Sequence, residues 1–145
     1  MIFEKTTTQY ATFEWRYDSD GKVWTQAQVH TTLVAKTPYS IIANEYGQIS
    51  STLAASGLYS LVGCPRAVAV AADIIWFQIG GYITSMVTAA LSMAVGEAMD
   101  VNTSAVADNA ADYTGAAAEF AVATAVSTTS TTQDAMLIPR QIVST

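Results

Sequence analysis

His30 is the only histidine and Cys64 the only cysteine, so imidazole or thiol chemistry would have to run through one of these two residues. A Ser/His/Asp relay needs a serine exposed on a sharp elbow beside the imidazole, and the chain contains no Gly-x-Ser-x-Gly. His30 is therefore expected at the surface or at an interface. Cys64 has no partner for an intrachain disulfide and no neighbouring His or Cys at metal-ligand spacing, which predicts a buried structural thiol and a reducing compartment. Asp18 and Asp20, in Asp-x-Asp-Gly, share the opening spacing of a calcium loop, but the later ligands and the closing Glu are missing, so turn chemistry explains them. Asp100, Asp108, Asp112 and Glu119 form the densest acidic region and could pair as general acid and base. They fall at expected turns and read as solvated loop carboxylates. Gly80-Gly81 lacks both phosphate-cradling patterns, Gly-x-Gly-x-x-Gly and Gly-x-x-x-x-Gly-Lys, and reads as a turn or a close backbone approach. The expectation is a protein that is not an enzyme and carries no catalytic residue, metal or cofactor.

At 145 residues the chain has about one domain's worth of length, enough to bury a core. Hydrophobic residues make up 51 % and charged residues 12 %, about half of the usual 25 % charged share, which excludes intrinsic disorder. Twelve acidic residues against six basic ones give a net charge of −6, the wrong balance for wrapping nucleic acid. Thr6, Thr7 and Thr8 follow Met-Ile-Phe-Glu-Lys where a secretory signal would continue with an apolar run. No charge lies between Asp73 and Glu97, long enough for a spanning helix of about 20 residues. Gly80-Gly81 and the scattered Gln78, Thr84, Ser85, Thr88 and Ser92 argue instead for a pair of buried strands joined at the glycines, with no membrane partner.

The elements that would position these residues read as strands. Gln9–Arg16 and Val23–Thr32 alternate on either side of Asp20-Gly21, a pair that favours φ > 0 in a hairpin turn. Phe13, Trp15 and Tyr17 share one face of the first strand by their two-residue spacing. With Phe3, Tyr10 and Trp24 they form an aromatic set that is either a local core or an arm contacting a capsid or sister subunit, since large aromatics anchor interfaces. Leu33–Leu61 reads as short strands and loops. Ala67–Ala72, Ile74–Ile79 and Tyr82–Val95 read as strands, the last also fitting a helical stripe. Val95-Gly96-Glu97, Asp108-Asn109 and Thr114-Gly115 mark turns, Phe120–Val126 a strand with one bulky and one small face, Ser127–Thr132 a loop, and Met136–Ile138 a closing edge strand before Pro139. Together these predict an all-β protein, a small sandwich or barrel-like domain with an N-terminal hairpin or arm. Composition shifts near residue 58, dividing the chain into an aromatic hairpin and connecting segment (1–58) and a β-rich core (59–145).

Asp73-Ile74-Ile75-Trp76-Phe77-Gln78-Ile79-Gly80-Gly81, then Gly96-Glu97-Ala98-Met99-Asp100-Val101 and Met136-Leu137-Ile138-Pro139-Arg140, resemble small virion structural proteins of tailed bacteriophages, most closely the capsid-decoration (cement) type. The resemblance covers about residues 59 to 140. It implies a small β-structure on the capsid surface, assembled in the host cytoplasm, that binds the major capsid protein and stabilises the expanded shell, with copies of itself as a homotrimer. The alternatives are another repeated virion component, such as a tail-tube or head-fibre subunit, and behind these a membrane-associated protein. Few charges and many Ala, Val and Thr also suit a chain that meets neighbours through flat surfaces.

Overall fold

The computed structural model describes residues 14–44, 47–53, 60–101, 107–112, 119–139 and 141–142. Among them are eleven strands and no helix: β1 (Trp15–Tyr17), β2 (Val23–Gln28), β3 (Tyr39–Asn44), β4 (Gly47–Thr52), β5 (Ser60–Pro65), β6 (Ile74–Met93), β7 (Glu97–Val101), β8 (Ala107–Asp112), β9 (Glu119–Ala123), β10 (Ser127–Leu137) and β11 (Gln141–Ile142). The protein is all-β, as its turn spacing and alternation predict.

The hairpin forms where Asp-Gly places it. Gly21 takes φ +81°, its N–H donates to the Asp18 carbonyl at 3.1 Å, and the Asp18 N–H donates to the Lys22 carbonyl at 2.9 Å, which sets Tyr17 opposite Val23. β2 then pairs antiparallel with β6, β6 with β5, β5 with β3 and β3 with β4, and β4 returns to β2 through the parallel pair Gln28–Ile49. The five strands form a small, partly closed barrel-like ring, whose β2–β4 seam is made by that single residue pair. Pairings β2–β6 and β3–β5 cross residue 58, so both segments of the chain contribute staves. Val23, Ala27, Val29, Leu33, Ile41, Leu61, Phe77 and Ile79 fill one core, and fully burying a side chain such as Phe77 or Ile41 stabilises by about 1.5–3 kcal/mol. Space there is tight: a Cβ on Gly63 would lie 2.6 Å from Ile41 Cδ1 and 2.9 Å from Phe77 Cβ. Beside the parallel seam, Gln48 Nε2 donates to Thr25 Oγ1 (2.8 Å) and to the Gln26 carbonyl (2.7 Å), giving these buried polar groups partners.

β6 is one strand of 20 residues, where the sequence suggests two strands joined at Gly80-Gly81. Its first half is a barrel stave. Its second half leaves the barrel and pairs with β10, which continues through β9 and β7 to β8 as a second sheet. The glycines serve the close approach rather than a reversal: Gly81 has φ +84°, and a Cβ there would meet the Gly21 carbonyl oxygen at 2.7 Å. Between the layers a second core gathers Val62 and Cys64 from the barrel with Ile83, Met86, Met93, Met99, Phe120, Ala121, Ala123, Ala135 and Leu137. Ala121 and Ala123 show that the small face of β9 is buried, which lets the layers approach closely.

Five local expectations are corrected. Ala67–Ala72 is a connection with one bridge, Leu33–Ala69, and its Val68 and Val70 are exposed, because the barrel already has a stave on each side. Ser127–Thr132 belongs to β10, and Met136–Leu137 end that same strand, which lies between β6 and β9 rather than at an edge. Asp108-Asn109 lies within β8, paired with Asp100 and Met99. Asp100, Asp108, Asp112 and Glu119 are thus strand residues, and Glu119 is buried rather than solvated. Except at Ala67–Ala72, where local alternation finds no partner strand, cross-strand pairing overrides weak local β-propensity.

Candidate functional site

Of the aromatic set, Phe3, Tyr10 and Phe13 lie outside the described residues. Trp15 and Tyr17 stand outside both cores on the three-residue strand β1, 39 % and 70 % exposed. Arg16 between them faces the other way, its guanidinium 4.7 Å from the centre of the Trp76 ring and held by Glu14 at 3.1 Å. Trp24 corrects the expectation of a contact residue. It is only 2 % exposed, because β2 is flanked by β1 and β6, and its indole Nε1–H donates to Asp18 Oδ2 at 2.9 Å, tying the strand to its own turn.

Below Trp24 the register assembles a pocket. Trp24 pairs with Gln78 across β2–β6, and Gln78 pairs with Cys64 across β6–β5, so the three form one row on the barrel's outer face. Beyond the glycine bend, Tyr82, Ile83 and Thr84 of the same strand β6 form a wall over that row. Lys22, Lys36, Pro65 and Arg66 complete a pocket of about 260 Å³. Gln78 braces the bend from inside, its Nε2 donating to the carbonyls of Gly80 (3.1 Å) and Tyr82 (3.0 Å).

The cations are positioned by backbone rather than by carboxylates alone. Lys36 has φ 57°, a left-handed conformation for a residue with a Cβ; its N–H donates to the Pro65 carbonyl at 2.7 Å and its carbonyl accepts from Val87 N at 3.0 Å. Its ammonium donates to Thr84 Oγ1 at 3.2 Å. Lys22 pairs with Asp20 at 2.8 Å, and that ammonium holds the Asp20 carboxyl below its ordinary value. Tyr82 donates to Asp134 Oδ2 at 3.3 Å; loss of surrounding water, reinforced by that carboxylate, pushes its hydroxyl above the usual tyrosine value. Burial pushes the Cys64 thiol far up, leaving it protonated and inert at neutral pH. His30 is exposed, away from this lining. Among the described residues no group of three or more His, Cys, Asp or Glu is placed to hold a metal ion, and no helix is long and apolar enough to cross a membrane.

Comparison with family models, curated proteins and solved structures gave no match. The pocket was not legible in sequence, because Lys22, Lys36 and Arg66 are far apart along the chain and meet only through closure of the barrel. The one local signal was Gly80-Gly81, which marks the bend without naming what lies beneath it.

Proposed function

We propose that this chain is a structural virion protein of the capsid-decoration type, which binds the outside of a phage capsid shell and stabilises it through contacts to the major capsid protein and to its own copies in a homotrimer. The observation that carries this reading is the presentation of Trp15 and Tyr17 outside a barrel whose core is complete without them. Large aromatics so placed act as interface anchors. Val34, Val68 and Val70, exposed around the Leu33–Ala69 bridge, add apolar contact area. The sequence resemblance over residues 59–140 supports the same role. In this role the mechanism is mechanical: many copies on one shell multiply a modest contact energy, and no turnover or cofactor is involved.

Light scattering after size-exclusion, with and without expanded capsid shells of the cognate phage, tests the reading. A compact trimer that moves into the shell fraction is expected, with Trp15→Ala and Tyr17→Ala each weakening shell binding about tenfold or more, as truncation of an anchor residue does. A monomer that ignores shells overturns it, and tubes formed without capsid would assign the chain to a tail.

A further inference from the structure

We propose that Gln48 is a positioning residue: its buried amide bridges the barrel seam and, through Thr25, latches β1, the strand that presents Trp15 and Tyr17. β6 covers one edge of β2 from Val23 to Gln28, so β1 and β4 must share the other. They share it incompletely. β1 pairs with residues 23–25 and β4 meets only Gln28, which leaves Gln26 and Ala27 without a described strand on that side. Gln48, on β4 and 6 % exposed, reaches across with a side chain instead: its Nε2 donates to the Gln26 carbonyl at 2.7 Å and to Thr25 Oγ1 at 2.8 Å. The Thr25 hydroxyl in turn donates to the carbonyl of Glu14, the residue just before β1, at 3.2 Å, and Thr25 itself stands opposite Trp15 in the register. Ser50, two residues along the same face of β4, accepts from the His30 N–H at 3.2 Å and bridges the seam a second time. Thr25, Gln48 and Ser50 are all buried, where such bonds polarise one another and water does not compete for them. The strand they hold needs the tie. β1 is three residues long and, among the described strands, pairs with β2 alone, which puts it at the low end of local stability unless side chains anchor it. Arg16 over Trp76 anchors the opposite face of β1, and Gln48 with Thr25 anchors the face that carries Trp15.

That the latch governs a contact surface rests on the capsid reading; that it holds β1 does not, and the isolated full-length chain tests it. Native-state hydrogen exchange followed by NMR compares the wild type with Gln48→Met, which keeps the length of the side chain, and Thr25→Val, which keeps its shape. The Asp18 N–H bonds to Lys22, so the Arg16 N–H two residues earlier also faces β2 and reports on β1, while the His30 N–H reports on the seam. Thr25→Val should speed exchange at Arg16 by about tenfold or more, the loss of one buried hydrogen bond, and leave His30 and the β2–β6 ladder unchanged. Gln48→Met should speed Arg16 and His30 together, again relative to the β2–β6 ladder. Equal acceleration at every amide, or unchanged exchange at Arg16 in Thr25→Val, overturns the proposal; if Gln48→Met does not fold, Thr25→Val decides alone. Shell binding by Thr25→Val separates the two readings: a released β1 with undiminished binding counts against the capsid reading and leaves the latch standing.

Discussion

Asp134 braces β6 from the strand beside it. Between Ile83 and Met86 the strand carries one residue more than its partner, since Ile83 pairs with Ala135 and Met86 with Gln133; Ser85 absorbs the extra residue at φ 53°. The bulge frees the Ser85 N–H, which donates to Asp134 Oδ1 at 2.8 Å. Asp134→Ala should therefore destabilise the protein by about 1–2 kcal/mol in urea melts, and Asp134→Asn by less because its Oδ1 still accepts. Cys64 offers a second test at this scale. Its folded thiol titrates far above the ordinary 9.0, so below pH 9 both states are protonated and the group is silent. Above pH 9 the unfolded thiol ionises while the folded one does not, and stability should fall as pH rises. In the native protein Cys64 should resist a thiol reagent at pH 8 and react at once in denaturant. The sequence made the buried thiol legible through its isolation from other cysteines. It made nothing of Asp134, whose partner is a backbone N–H 49 positions away.

At the scale of elements, the hairpin turn and the β6 bend meet, and glycine is required at each for a different reason. Gly21 and Gly81 both have positive φ, but nothing lies within 4 Å of a Cβ at Gly21, whereas one at Gly81 would strike the Gly21 carbonyl oxygen at 2.7 Å and Lys22 Cα at 2.9 Å. Gly21→Ala should cost about 1–2 kcal/mol, the conformational penalty alone. Gly81→Ala should cost clearly more and broaden or abolish the cooperative transition, because backbone atoms would have to move; parallel urea melts compare the two. The bulky apolar run of Ile74–Ile79 and the Asp-Gly pair identified strand and turn correctly, since both are local signals. Ser127–Thr132 and Asp108-Asn109 misled because polar, turn-favouring residues are tolerated in strands once a neighbouring strand supplies the ladder, β6 for the first and β7 for the second.

At the scale of the molecule, the barrel closes only if β2 is present, because β2 bonds to both β6 and β4. Deleting residues 1–13 removes none of the described strands and should preserve a single cooperative thermal transition. Deleting residues 1–25 takes Val23, Trp24 and Thr25 out of β2, and that truncation should lose cooperativity and bind a hydrophobic dye such as ANS, since an opened ring exposes Phe77 and Ile79. Fluorescence-monitored melting of the two truncations distinguishes the outcomes.

Composition and two-residue alternation were sufficient to determine an all-β chain with a real core, a hairpin at Asp20-Gly21 and a buried thiol at Cys64, because burial and turn geometry act over a few neighbouring residues. Only the tertiary structure decided that β6 serves two layers, that Trp24 is buried while Trp15 and Tyr17 stay exposed, and that Lys22, Lys36 and Arg66 line one pocket. Those outcomes depend on which strands pair. Pairing between distant segments is set by the summed packing of the whole barrel, which no short stretch of residues encodes.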